Sequence, residues 1–108
     1  MSIHATEVAT KIIEVDPDKP ESEVKVDLGG TLEFKLKSHD FDRFEITFEE
    51  SWPPNTGKHF KGTIDHPILV HMPHETKSFH YRLVFKKKDG TSKYLEGPFL
   101  AHSCPACG

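Results

Sequence analysis

Hydrophobic and polar residues alternate with a period of two in three segments of the chain: Leu32 to Leu36, Phe44 to Phe48 and Phe79 to Phe85. Successive side chains of a β-strand point to opposite faces, so each segment predicts a strand with one face in a core and the other in water. Weaker patterns predict strands at 8–15, 23–26 and 68–71, and short closing strands at 94–95 and 98–101. No segment shows a sustained helical period.

Turn-forming residues separate these segments. They include Asp16 to Pro20, the Gly29-Gly30 pair and the hairpin signal Lys88 to Thr91. About seven short strands at this spacing predict an all-β protein, an antiparallel sandwich of two sheets. The inward positions of the clearest strands predict its core: Phe34, Leu36, Phe44, Ile46, Phe48, Tyr81, Leu83 and Phe85.

Length and charge limit the number of domains and the kinds of partner that we expect. A chain of 108 residues predicts one domain, 1–108, with a short tail at 102–108. The formal net charge is −3 and the only basic run, Lys86 to Lys88, falls at a turn, so we expect no nucleic-acid partner. The first residues have neither a basic start nor an apolar run, so we expect no signal peptide, no membrane span and a cytoplasmic location.

Some segments resemble a known fold family. The run Val24 to Phe34, the strand His80 to Leu83 and the final strand Gly97 to Leu100 resemble cupredoxin-like domains, and immunoglobulin-like domains share these motifs. The resemblance implies a β-sandwich. A blue-copper site would use an early histidine, which His39 matches, followed by a cysteine, a histidine and a methionine before the last strand. Both cysteines instead follow that strand, so the resemblance implies no blue-copper site.

The C-terminal tail holds both cysteines of the chain, in the order Cys104-Pro105-Ala106-Cys107-Gly108. This Cys-Pro-x-Cys-Gly sequence is half of a zinc knuckle, because proline fixes one backbone dihedral and glycine tolerates a positive φ. Thiols stay reduced in the cytoplasm, where such a pair favours metal or redox chemistry over a structural disulfide. Two thiolates predict zinc first and reduced copper second.

Tetrahedral zinc needs two more ligands besides the thiolates. His102 lies two residues before Cys104, and His71 and His74 stand three apart around a proline, so these histidines are the candidate metal ligands. Two chains sharing one ion through four sulfurs would form a metal-bridged homodimer. Three other interpretations of the tail stay open: thioredoxin-like redox chemistry, a small reversible disulfide without function, and a tail with two inert thiols.

The remaining candidate site is a partner surface. Trp52 lies in a Pro-rich loop and Phe60 follows shortly after, so the two either close one end of the sandwich or bind a partner. Ser38, His39 and Asp40 are contiguous, and consecutive strand residues face opposite ways, so they form no catalytic triad. We therefore expect a non-enzymatic metal-binding protein. The alternative is a metal-free interaction module that uses an edge strand or the Trp52 loop.

Overall fold

A computed structural model of the protein describes residues 10–49 and 59–105, and these residues form eight strands. Trp52 and Cys107 lie outside the described residues. The strands are β1 (Thr10–Val15), β2 (Glu23–Val26), β3 (Thr31–Leu36), β4 (Arg43–Phe48), β5 (His59–Thr63), β6 (Ile68–His71), β7 (Lys77–Lys86) and β8 (Ser92–Ser103). The described residues contain no helix, and therefore no helix long and apolar enough to cross a membrane.

The strands form two sheets, so the predicted fold class is confirmed. The smaller sheet has the order β1-β3-β6 and the larger sheet has the order β2-β8-β7-β4-β5. The pairing is not antiparallel throughout, because β1 runs parallel to β3 and β2 runs parallel to β8. Both sheets are therefore mixed.

The core lies between the sheets, and all eight residues predicted for it are buried. The alternation of the strands explains this directly: in β4, Phe44, Ile46 and Phe48 are buried while the residues between them are not. Additional buried residues come from the weaker strands, including Ile13 and Val15 of β1 and Val24 and Val26 of β2. Each sheet thus covers the apolar face of the other.

Aromatic rings fill one part of this core. The ring of Phe48 lies with its centroid 5.6 Å from that of Tyr81, 5.9 Å from Phe60 and 6.4 Å from Phe79. Phe60 is half-buried and packs against the core cluster. Part of the Phe60 side chain that was predicted to contact a partner or close the sandwich is therefore packed against the core.

At one end of the sandwich, the start of the C-terminal tail lies next to the end of β2 and the loop between β6 and β7. The backbone N–H of Cys104 donates to Val26 O at 3.2 Å, which extends the β2–β8 ladder by one residue. The hydroxyl of the buried Ser103 donates to Glu75 O at 2.7 Å, in the loop between β6 and β7. These two bonds hold the start of the tail against the sheet and leave the Cys104 side chain beside the outer face of β8.

Candidate metal centre

His102 lies on the outer face of the larger sheet. Its neighbours in β8, Ala101 and Ser103, are buried, so the alternation of the strand directs the imidazole outward. The register places it between Ser78 of β7 and Lys25 of β2. Three adjacent strands therefore determine which polar groups surround this histidine.

The two ring nitrogens of His102 have different surroundings. Nδ1 lies 2.6 Å from the hydroxyl of Ser78 in a hydrogen bond. Nε2 lies 3.1 Å from Oε2 of Glu23. Nε2 is shielded from solvent, and it has no hydrogen-bond partner of acceptable geometry among the described residues, so its contact with the carboxylate is one of proximity alone.

The Ser78 contact bears on the protonation of the ring. If Nδ1 carries the proton and donates it to the serine oxygen, the lone pair of Nε2 is free. Histidines that bind metal through one nitrogen usually donate the other N–H to a fixed acceptor, which sets the tautomer and the ring orientation. The Ser78–His102 pair matches this pattern, with the serine oxygen as the acceptor next to Nδ1.

Cys104 lines the same cavity as His102. This shallow cavity has a volume of about 260 Å³, and its walls include Glu23, Lys25 and Lys77. Cys104 follows His102 by two residues and continues the ladder, so it belongs to the same outer face of the sheet. Two of the predicted ligand residues therefore line one cavity on the surface.

Cys104 is oxidised in this structure. Its sulfur is part of a disulfide, and the described residues include no free cysteine. A sulfur in a disulfide is not a thiolate and does not ligate zinc. Any metal chemistry of the tail consequently requires its reduced form.

The structure places His71 in the smaller sheet, whereas His102 belongs to the larger sheet. In β6 the residues Ile68 and Val70 are buried while Leu69 and His71 are exposed, so His71 points outward from the smaller sheet. Its Nδ1 lies 2.9 Å from the hydroxyl of Thr31. His71 and His102 thus occupy opposite outer faces of the sandwich, whereas the ligands of one zinc ion lie within about 2.0–2.3 Å of it.

His74 lies in the loop after β6, with its imidazole against the backbone of Gly29. Gly29 has a φ of 70°, a left-handed conformation, and its lack of a Cβ leaves the space that the ring occupies. His39, the histidine that matches the early ligand of cupredoxins, is exposed after β3, at the end of the sandwich opposite Cys104. Within residues 10–49 and 59–105, no three histidine, cysteine or acidic side chains form a group that could hold a metal ion.

Sequence reasoning missed Ser78 and Glu23. Both belong to the site only through strand register, which the alternation pattern does not contain. The single available signal was the outward position of each residue in its strand, which many polar residues share.

A second polar cluster lies on the same outer face, around Glu45 of β4. Lys86 Nζ lies 2.6 Å from one carboxylate oxygen and His59 Nε2 lies 2.8 Å from the other, while His59 Nδ1 contacts the hydroxyl of Thr47 at 2.9 Å. The hydrogen bond and charge of Lys86 lower the pKa of Glu45, with a smaller contribution from His59. The cluster ties the edge strand β5 to the centre of the sheet.

Neither a protein-family model nor any curated protein matches this sequence. Any function assigned to the chain must therefore come from its own residues.

Proposed function

We propose that the reduced C-terminal tail binds a transition metal through Cys104 and Cys107, with Nε2 of His102 as a third ligand. The observation that carries the proposal is the state of His102: a shielded Nε2 without a hydrogen bond, a second nitrogen held by Ser78, and Cys104 along the same cavity. Zinc is the preferred ion, because it accepts two thiolates and an imidazole in tetrahedral geometry. Reduced copper is the second choice.

The protein is in this proposal a non-enzymatic binding protein of the cytoplasm, where the thiols are kept reduced. Its scaffold is a cupredoxin-like or immunoglobulin-like sandwich that does not use the blue-copper position. The disulfide of Cys104 is the metal-free state of the same tail. The role of the ion is to fix the C-terminus on the sheet, or to join two chains that share it.

The test is the metal content of protein purified under reducing conditions, measured by elemental analysis. We expect stoichiometric metal in the reduced protein, and none after oxidation or in the double variant Cys104→Ser with Cys107→Ser. His39→Ala serves as the matched control, because His39 is exposed at the other end of the sandwich. Metal that persists in the double variant, or that is absent from the reduced protein, contradicts the proposal.

The same measurement separates the candidate histidines. Because His102 shares a cavity with Cys104, we expect His102→Ala to lower the affinity for zinc. We expect His71→Ala to leave it unchanged, since this side chain lies on the outer face of the smaller sheet. An equal effect of the two substitutions would contradict this choice of ligand.

A metal-free interaction module is the second candidate function. The observation in its favour is a row across the outer face of the smaller sheet, where Ile12 and Leu69 flank Glu33 in register. Ile12 is 55% exposed and Leu69 is 50% exposed, which is unusual for two large apolar residues so close together. If the reduced protein binds no metal, this surface is a candidate site for a partner among the described residues. Sedimentation of the wild type and of Ile12→Lys with Leu69→Lys would then show whether the row joins two copies.

A further inference from the structure

The first part of β8 has a neighbouring strand on one side only. β7 pairs with β8 along most of its length, whereas β2 pairs with it only from Leu100 to Ser103. Among the described residues, no strand lies beside 92–99 on the β2 side. The segment 92–96 is therefore an open edge of the larger sheet, in a strand whose other side is fully paired.

A hydrogen bond at the hairpin shows which backbone groups point to the open edge. Lys87 N–H donates to Thr91 O at 2.9 Å, at the end of the β7–β8 ladder. Bonded and unbonded residue pairs alternate along antiparallel strands, so Ser92 makes no ladder bond to β7 and Lys93 does. By the same alternation, the N–H and C=O groups of Tyr94 point away from β7 and toward the open edge.

These backbone groups are available to another strand. Within residues 10–49 and 59–105, no backbone hydrogen bond reaches Ser92 or Tyr94 from the open side. The alternation directs the backbone of Glu96 to this side as well. Tyr94 is 69% exposed, more than any other large hydrophobic residue of the described part of the chain. A row of unpaired edge groups beside an exposed ring is a template for strand addition.

The open edge is complementary to itself in one register. In antiparallel pairing around a two-fold axis, a step forward along one strand is a step back along the other. If Tyr94 lies opposite Tyr94 of a second copy, Ser92 lies opposite Glu96, and each of these pairs can exchange two backbone hydrogen bonds. Any shifted register leaves Ser92 or Glu96 without a partner. The register centred on Tyr94 therefore satisfies the whole edge, and it places two tyrosine rings side by side.

The same register brings opposite charges together. It places the hairpin turn of the second copy, residues 88–90, at the start of β2, because position 88 falls opposite Leu100, which pairs with Glu23. Lys88 is exposed in that turn, and Glu21 and Glu23 are exposed where β2 starts. The two-fold axis repeats this contact, so each dimer contains it twice. Opposite charges across an interface fix its register.

The start of β2 also has space for the turn. A cavity of about 590 Å³ lies between the open edge and the loop before β2, and its walls include Pro20, Ser22 and Pro98. Pro98 has no N–H, so strand pairing ends at this cavity. The acidic residue of the turn, Asp89, accepts a hydrogen bond from Thr91 N–H at 2.8 Å. Its carboxylate is thus held within its own turn, whereas Lys88 can face the acidic residues.

We propose that a second copy of this chain pairs with the open edge, antiparallel and centred on Tyr94, with Lys88 of each copy near Glu21 of the other. The larger sheet then continues from one subunit into the next. A strand of five residues is about 17 Å long, and such a pairing is smaller than the about 800 Å² per partner of a standard interface. The dimer therefore forms reversibly, at high protein concentration. It needs neither the metal proposed above nor the reduced tail.

Amide hydrogen exchange of the wild-type protein tests the pairing residue by residue. The protein is kept oxidised with a chelator present, so that no metal-bridged dimer forms. We expect Tyr94 N–H to exchange at least about threefold more slowly at about 1 mM protein than at about 50 µM, because the second copy covers it. Lys93 N–H, which bonds to β7 at either concentration, is the internal control. Exchange of Tyr94 N–H at the same rate at both concentrations would overturn the inference.

Sedimentation equilibrium of two variants separates the backbone of the edge from the ring. Tyr94→Pro removes an N–H that makes no bond to β7, a position where an edge strand tolerates proline. We expect it to raise the dissociation constant of the dimer at least about tenfold. Tyr94→Thr retains the N–H and should dimerise more tightly than Tyr94→Pro. An equal loss in the two variants would show that the ring alone joins the copies, which would contradict strand pairing.

A charge exchange tests the register. Lys88→Glu should weaken the dimer, since it puts like charges together at both ends, and the same chain with Glu21→Lys added should regain the wild-type affinity. Lys61→Glu makes the same charge change on β5, at the other edge of the larger sheet, and is the control. A double variant as weak as Lys88→Glu would overturn the register. A dimer abolished by Ile12→Lys with Leu69→Lys but unaffected by Lys88→Glu would assign the contact to the smaller sheet and overturn the inference.

Discussion

The hydroxyl of Ser78 provides the sharpest mutational test of how His102 is held. Ser78→Ala removes the contact of 2.6 Å to Nδ1, so the ring loses the group that fixes its tautomer and orientation. Removal of such a partner lowers metal affinity by about 10–100-fold in known sites, which equals about 1.4–2.8 kcal/mol. Ser78 is exposed, so the metal-free protein should lose less than about 1 kcal/mol of stability.

These two magnitudes are measured separately. Competition with a chromophoric chelator gives the zinc dissociation constant of the reduced protein, and urea unfolding gives the stability of the metal-free protein. Ser78→Thr retains the hydroxyl on a strand that tolerates β-branched residues, so it should restore most of the affinity. Ser92→Ala, at the far end of β8, is the control.

The reasoning fails if Ser78→Ala binds zinc as tightly as the wild type. It also fails if Ser78→Thr is as weak as Ser78→Ala, because the loss would then follow from the backbone or from packing. A large loss of stability in the metal-free Ser78→Ala protein would show that the serine acts on the fold.

Three further predictions concern the scaffold. Phe48→Ala should lower the free energy of unfolding by about 3–5 kcal/mol in urea, because the ring is 1% exposed; a loss below about 1 kcal/mol would contradict the described core. Gly62→Ala should lower it by about 1–3 kcal/mol, since a Cβ there would lie 2.6 Å from Phe44 Cε1, and an unchanged urea midpoint would show that the site has room. Lys86 lowers the pKa of Glu45 in the folded state, so this carboxylate stabilises the protein above its ordinary pKa of 4.5 and the contribution is lost as the pH falls through the lowered value. Urea midpoints measured during acidification should therefore fall less steeply in Glu45→Gln than in the wild type, and parallel curves would contradict this.

Alternation predicted the strands that bury one full face. β4 and β7 were predicted directly from the sequence, because every second residue in the alternating segments is a large apolar side chain in the core. β5 was not predicted. Its sequence, His59 to Thr63, buries only Gly62 fully and Phe60 in part, so the edge position of the strand leaves little hydrophobic signal.

The pairing of the strands was harder to predict from the sequence than their positions. The parallel pairs β1–β3 and β2–β8 join segments that an antiparallel sandwich would not pair, and a period of two is the same in either direction. The two short closing strands predicted at 94–95 and 98–101 are parts of the single strand β8, which is interrupted by a register shift against β7 between Tyr81 and Leu83. Gly97, with a φ of 89°, lies in that irregular part of β8.

The candidate site was also only partly predictable from the sequence. The spacing of the cysteines and the alternation that directs His102 outward are local properties, and the sequence contains both. The spacing of His71 and His74 also suggested a common ion, but His71 points outward from the smaller sheet and His74 packs against Gly29. Ser78 and Glu23 join His102 through two different strand registers, so only the folded structure brings them together.

Native mass spectrometry of the fully reduced protein with one equivalent of zinc tests the central claim most directly. The account predicts that the reduced protein carries zinc, either one ion on a single chain or one ion shared by two chains, with a mass that shows the loss of the cysteine protons on binding. Re-oxidation to the disulfide should release the ion. A reduced chain that stays free of zinc, or an adduct that survives re-oxidation, would contradict the claim that the C-terminal thiols hold the metal.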